Sequence, residues 1–370
     1  VLTVPRSITN PDGAQRSNDV AAERLRIAIM APCWVPVPPS GYGGTELVLD
    51  TLARGLVDAG HEVVLVTTGD ATCPVPRIAA TPLALGTDDA TPLNETVHVL
   101  EGYAKLPRVD IVHDHTLVGP LVGLRSGRAP VVTTNHAPFQ GAMSTYFRHI
   151  SRDVPVIAIS HAQASLAEGI RIAAVIHHGI AEERFELGKG DGGYALFLGR
   201  MSPDKGIVHA VEIARTADIP LVIAAKMREP AEQAYFEHAV RPLLGPGVEY
   251  VGEVGGQAKV ELLQRATALL NPIAWPEPFG MVMLEAMAVG TPVIATPNGS
   301  APELVADGVA GYIASSTQEL AERLQAASSL ARSEVQRWAW EHFSARHMVE
   351  NHLRLYHRII AEHRSPRVRA

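Results

Sequence analysis

Residues 277–285 read Glu-Pro-Phe-Gly-Met-Val-Met-Leu-Glu, and Ala286, Met287 and Ala288 extend an apolar run of good helix formers. Gly280 separates a proline-bearing loop from this run, so the pattern places a helix start there. The first N–H groups of a helix have no intrahelical acceptor, and that end favours an anion. Glu277 would then lie just outside the anion-binding end, and Glu285 within the first turns of the helix. A diphosphate at the helix start, a sugar near Glu277 and a ribose near Glu285 satisfy all three features. A buried helix preceded by an acid would give the same string, so the rest of the chain has to decide.

Working outward from this segment, short β-branched runs alternate with helical stretches. Residues 26–31, 62–67, 109–113, 131–134 and 156–159 read as strands, with a helix over 46–59 that Gly60 stops. A charged and then glycine-rich stretch, 181–193, breaks the pattern. It restarts with strands at 194–198, 221–225, 248–251, 268–271 and 292–295 and helices at 206–216 and 259–265. Parallel strands with crossover helices follow from this alternation. The expected architecture is α/β, with two Rossmann-like parallel sheets facing across a cleft. Its divisions are a disordered leader (1–23), an N-terminal acceptor-side domain (24–180), a linker (181–193) and a C-terminal donor-nucleotide domain (194–344). A last helical segment (345–370) closes the chain. Ligands of such sheets bind beyond the carboxyl ends of the strands.

Three further groups of residues fall at strand ends. Gly199-Arg200-Met201-Ser202-Pro203-Asp204-Lys205-Gly206 offers a guanidinium fork and a compact ammonium that can converge on one diphosphate. Solvated basic residues in a βα loop are the plainer alternative. Gly41-Tyr42-Gly43-Gly44-Thr45-Glu46 would let backbone N–H groups approach a phosphate. Its spacing is not that of the dinucleotide fingerprint. His113 and His115 share one side of a strand, and His136 ends the next. Neither a third ligand nor an H-E-x-x-H pattern accompanies them, so no metal site is expected.

In order and content these segments resemble the retaining glycosyltransferases of family 4, which have the GT-B fold. The resemblance runs from residue 24 to about residue 356 and includes Asn298-Gly299-Ser300-Ala301-Pro302-Glu303. Residues 38–44, 112–115 and 252–256 also look like actinobacterial members that decorate oligosaccharide antibiotics. The resemblance implies transfer of a hexose-type sugar from a nucleotide-diphosphate sugar, UDP- or GDP-linked, to a hydroxyl acceptor with retention of configuration. It implies Arg200, Lys205 and the N–H groups around Phe279, Gly280 and Met281 at the diphosphate, with Gly43 and Gly44 opposite. Glu277 would orient the sugar, His136 would hold its 6-hydroxyl, and Glu285 would accept from the ribose. Backbone at Val251 would meet the base, and His115 is a further candidate. It also implies that residues 333–363 cross back onto the N-terminal half. A sugar-nucleotide 2-epimerase on the same fold, or a non-catalytic nucleotide- or glycan-binding module, are the competing readings.

Composition narrows the field. The 370 residues suffice for about two domains, with 46 % apolar and 19 % charged residues and a formal net charge of −7. That balance argues against nucleic acid as a partner. The chain has no D-x-D pattern, so no cofactor and no metal is expected, and turnover should be metal-independent. Cys33 and Cys73 stand far apart and fit free thiols in a reducing compartment. No apolar run is long enough to span a bilayer, and the leader lacks a signal-peptide core. A cytoplasmic location is expected. The basic stretch 146–152 carries only two certain positive charges and reads as a solvated helix end, so membrane association is not expected.

Overall fold

The computed structural model describes residues 23–86 and 91–365. The expected leader, apart from residue 23, lies outside the described residues. Among the described residues, thirteen strands form two all-parallel sheets. The first holds β1 (Arg26–Met30), β2 (Glu62–Thr68), β3 (Arg77–Thr81), β4 (Ile111–Asp114), β5 (Val131–Thr134), β6 (Val156–Ala158) and β7 (Ile172–Val175), in the order β3-β2-β1-β4-β5-β6-β7. The second holds β8 (Ala195–Arg200), β9 (Leu221–Lys226), β10 (Val248–Gly252), β11 (Ala268–Asn271), β12 (Val293–Ala295) and β13 (Gly311–Ile313), in the order β10-β9-β8-β11-β12-β13. Both sheets therefore reverse their winding beside their first strand, at β1/β4 and at β8/β11. Those reversals open a crevice at the carboxyl ends of the strands. The glycine loop follows β1, and Gly199-Arg200 end β8, so sequence order alone brings both motifs to a crevice.

Burial explains why these segments became strands. Residues of β1 alternate between two apolar layers: Ile27 and Ile29 pack in one core cluster, and Ala28 and Met30 in another. The same division separates Leu196 from Phe197 in β8. Sheets covered on both faces need such continuous apolar runs.

The C-terminal segment is two helices, not one. Arg332–Phe343 packs beside the Met281–Ala288 helix on the second sheet. Ser344 then breaks the run, and its hydroxyl accepts from His347 N at 3.3 Å to start the helix Ala345–Arg364. That helix buries Met348, Leu355, Tyr356 and Ile359 in the core of the first sheet, against the Gly44–Asp58 helix. The chain thus passes between the halves twice. The two passages lie side by side, with Ile180 N donating to Phe343 O and Ala345 N to Ile180 O. Among the described residues, no helix is long and apolar enough to cross a membrane. The Gly141–Ile150 helix carries part of the basic stretch and turns Phe147 and Ile150 inward. Cys33 and Cys73 are both free and buried.

Candidate active site

Facing strand ends enclose a cavity of about 1250 Å³. Its walls include Gly43, Gly44 and His136 from the first half, and Arg200, Lys205, Glu277, Phe279, Gly280, Met281 and Glu285 from the second. Trp34 and Glu285, 251 positions apart in sequence, therefore meet there.

The helix start at 280 forms as the sequence predicts. Gly280 has φ 85° and ψ 63°, a left-handed conformation, and caps the helix Met281–Ala288. A Cβ at this position would stand 2.5 Å from Met283 Cε. The preceding loop is fixed from behind. Ser300 N donates to Glu277 O at 3.0 Å, Ser300 Oγ to Phe279 O at 2.5 Å, and Asn298 Nδ2 to Ile273 O at 2.7 Å. The Asn298–Ser300 turn is thus a brace for the Glu277 loop. Phe279 is buried, with its ring 4.9 Å from that of His178.

Charges on the second half come in pairs. Lys205 Nζ donates to Glu277 Oε2 at 2.5 Å and lies 4.9 Å from the centre of the Trp275 ring. Trp275 Nε1 also donates to that oxygen, at 2.9 Å. Arg200 is held loosely, 3.4 Å from Ser202 Oγ and 3.3 Å from Asp204 Oδ2, with 37 % of its side chain exposed. It is therefore the cation most available to a ligand in this group. Lys259 Nζ donates to Glu285 Oε1 at 2.6 Å, and buried Lys226 bridges Glu229 and Glu232. Arg228 forks onto both oxygens of Glu253, and Glu253 Oε1 accepts Tyr42 N at 3.0 Å. That last contact ties the glycine loop to the second half. Gly44 completes the tie, since a Cβ built on it would lie 3.8 Å from Met281 Cγ.

Histidines fill the floor on the first half. His136 Nε2 lies 2.9 Å from His115 Nδ1, and its ring stacks on His178 at 5.3 Å. His115 is buried behind His136, and its Nε2 has no hydrogen-bond partner among the described residues. Burial pushes the His136 pKa down to about 4, with His352 adding a smaller like-charge effect. His136 is therefore neutral near pH 7. His113 is structural: its ring nitrogens lie 2.7 Å from Tyr356 Oη and Thr134 Oγ1.

Not every expected residue reaches the cavity. Val251 is 38 % exposed and does not line it; Glu253 and Val254, just beyond the end of β10, do. His115 touches the cavity only through His136. Lys259, Lys226, Arg228 and Glu46 line the wall although no motif singled out the three cations. Burial raises the Glu46 carboxyl to about 7. Only Glu46 had a sequence signal, as the last residue of the glycine segment. Among the described residues, one trio that could ligate a metal, His161, His177 and Glu303, stands outside this cavity. There Glu303 already accepts His161 N, Ala162 N and His177 Nε2 across the two halves.

Two winding reversals, two facing sheets and a cavity between them lined by paired charges define the GT-B class of protein. Comparison with known families agrees. Residues 42–184 match the family described as Glycosyltransferase Family 4, and residues 179–339 match Glycosyl transferases group 1. The chain belongs to glycosyltransferase family 4. It is 26 % identical over 326 residues to phosphatidyl-myo-inositol mannosyltransferase of Mycolicibacterium smegmatis, covering 78 % of this chain and 80 % of that one. It is 34 % identical over 185 residues to α-maltose-1-phosphate synthase of the same organism, covering 45 % of this chain and 48 % of that one. The chain thus spans about half the length of that relative, and 32 % of its Mycobacterium tuberculosis counterpart. Among solved structures, AviGT4, a glycosyltransferase involved in avilamycin A biosynthesis, superposes with a TM-score of 0.70 at 28 % identity, over 91 % of this chain and 98 % of that one. Sucrose-phosphate synthase of Thermosynechococcus elongatus shares the fold, with a TM-score of 0.75 at 21 % identity, over 92 % of this chain and 100 % of that one.

Proposed function

We propose that the protein transfers a hexose-type sugar from a nucleoside-diphosphate sugar to a hydroxyl acceptor, retaining the anomeric configuration and needing no metal. The observation that carries this reading is the convergence of Arg200, Lys205 and the helix start at Gly280 on one side of the cavity, opposite Gly43 and Gly44. As the bond between sugar and phosphate breaks, negative charge grows on the leaving diphosphate. Preorganised donors aimed at that charge stabilise the transition state. Arg200 supplies the available cation, and the N–H groups of the first helical turn supply dipoles without a metal. Lys205 contributes through its pair with Glu277. A diphosphate draws the ammonium toward itself and leaves Glu277 with Trp275 Nε1 as its remaining donor, so the carboxylate can accept sugar hydroxyls. Neutral His136 can donate to the sugar from one ring nitrogen while the other meets His115. Glu285, held by Lys259, accepts the ribose hydroxyls, and backbone beyond Val251 lies beside the base. In this reading the acceptor half spans residues 24–180 and the donor half 194–344, joined by residues 181–193.

The names of the relatives include phosphate-bearing compounds, among them phosphatidyl-myo-inositol and maltose 1-phosphate. Neither the acceptor nor the donor sugar is carried over from them. The epimerase alternative has less support, because a glycine loop tied to the donor helix serves a site shared between two substrates.

Thermal unfolding with UDP, GDP, ADP and dTDP, each with excess EDTA, tests the reading. A ligand at 100 times its Kd adds about 2.7 kcal/mol, a shift of a few degrees. One nucleoside diphosphate should shift the transition and name the base. Arg200→Ala should then lower turnover about 100-fold, near 3 kcal/mol. No shift with any nucleotide, or activity abolished by EDTA and restored by a divalent cation, would overturn the proposal.

A further inference from the structure

The charge lining the cavity is divided between its two walls. Arg200, Lys205, Lys226, Arg228 and Lys259 all belong to the second half. Among the described residues, the only other arginine or lysine on the lining, Arg184, comes from the connecting segment and donates to buried Asp50 Oδ2 at 2.6 Å. Among the described residues, the wall built from residues 34–178 carries no lysine or arginine at all. Its ionisable lining groups are Glu46, His136, His178 and the phenol of Tyr42. Burial lowers the pKa of both histidines, so neither is a cation near neutral pH.

Recognition of a phosphate needs cationic side chains or free backbone N–H groups. This wall is poor in both. Pro36, Pro38 and Pro39 line it and have no N–H to donate. Its one anion-favouring feature is the start of the Gly44–Asp58 helix. That start faces Met281, so it addresses the donor's diphosphate and not a second anion. What the wall does offer is Trp34, a partly buried indole with no hydrogen-bond partner among the described residues. Its backbone is fixed: Gly86 N donates to Trp34 O at 3.0 Å, and Leu85 N to Cys33 O at 3.0 Å. The loop beyond it is pinned where Thr72 N and Cys73 N both donate to Val37 O at 2.9 Å. An aromatic face carried on a fixed backbone beside prolines matches the apolar face of a sugar ring, and the indole N–H remains to meet a hydroxyl.

We infer that the acceptor is an uncharged saccharide or glycoside lying on Trp34, and that this wall rejects acceptors bearing phosphate. The inference rests on the transferase reading above, but its test is separate. The protein is first saturated with the nucleoside diphosphate that shifts its unfolding. If none binds, the transferase reading fails before any acceptor is tried. Matched pairs are then compared by saturation-transfer NMR on the nucleotide-loaded protein: glucose with glucose 6-phosphate, maltose with maltose 1-phosphate, and myo-inositol with its monophosphate. Each is present at about 10 mM, ten times a weak Kd of about 1 mM.

At least one uncharged member should bind, and about tenfold more tightly than its phosphorylated partner. Trp34→Ala should lose that binding while the nucleotide still shifts unfolding. If Trp34→Ala fails to fold, Trp34→Ser is assayed in its place. Binding of a phosphorylated sugar as tight as its partner overturns the inference. So does the failure of every uncharged sugar to bind the loaded protein, or undiminished binding once the indole is removed.

Discussion

Removing Lys205 should uncouple stability from turnover in a way that a double variant can resolve. Its ammonium lies 2.5 Å from Glu277 Oε2, with the two side chains only 13 % and 14 % exposed. In Lys205→Met the carboxylate keeps one donor, Trp275 Nε1 at 2.9 Å. Breaking a buried pair from one side costs about 3–5 kcal/mol, and the residual exposure here favours the lower end, about 3 kcal/mol. That lowers the melting temperature by about 4 °C for a chain of this length. Adding Glu277→Gln removes the stranded charge, so Lys205→Met/Glu277→Gln should recover about 2 kcal/mol of the loss, a coupling typical of residues in contact. Turnover should not recover. A charge-assisted contact to the leaving diphosphate is worth about 2–3 kcal/mol, so kcat/KM should stay about 30–150-fold down in both variants. The assay pairs calorimetric unfolding with release of nucleoside diphosphate. The reasoning fails if the double variant is no more stable than Lys205→Met, or if Lys205→Met turns over within about threefold of the parent.

Other consequences are simpler to read. Burial holds the Glu46 carboxyl near 7 against an unfolded value of 4.5, so the folded chain keeps a proton that the unfolded chain loses between those values. Stability from this group is full below pH 4.5 and falls as pH rises through 7, by up to about 3 kcal/mol; Glu46→Gln should flatten that decline in urea unfolding followed across pH. His352 acts at the other end. Burial lowers it to about 4 from 6.5, so its contribution is present above pH 6.5 and lost as pH falls through 4, and His352→Leu should flatten the acid limb. Gly280→Ala places a side chain at φ 85°, which costs about 1–2 kcal/mol, and should weaken nucleotide affinity measured by calorimetry. Unchanged affinity would argue against an anion at that helix start. Glu303→Ala removes the acceptor of three donors across the two halves and should cost about 2 kcal/mol in thermal unfolding, while the groups that line the cavity stay in place.

Reading the sequence recovered the central strands of both sheets, because each is a short run of buried, mostly apolar residues. The strands it missed are β3, β7 and β13, all at sheet edges. An edge strand is covered on fewer sides, and these three are largely half-exposed or short, so even the apolar Ile172–Val175 is too brief and too alanine-rich to stand out. The helix Pro92–Lys105 was missed for the opposite reason. Leu93, Val97 and Leu100 point outward and obscure the amphipathic stripe formed by Glu95, His98 and Val99. In the site, motifs pointed to the loops that line the cavity because glycine and proline punctuate them. The partners of the carboxylates were not legible. Lys259 meets Glu285 from a helix 26 residues away, and neither position has a local pattern that announces the other. The break at Ser344 was available in principle, since a serine that caps a helix is a recognised start signal, but continuous helical composition on both sides masked it.

The return of the Ala345–Arg364 helix to the first sheet has a consequence for biosynthesis. The half that leaves the ribosome first is the half that is finished last. Its apolar layer stays open until Met348, Leu355, Tyr356 and Ile359 have been made, after the whole second half has had time to fold. Nascent chains stalled before residue 345 should therefore expose that layer to chaperones. A fusion or truncation that disturbs the last helix should damage the first half's wall of the cavity, although that wall is encoded some 300 residues upstream.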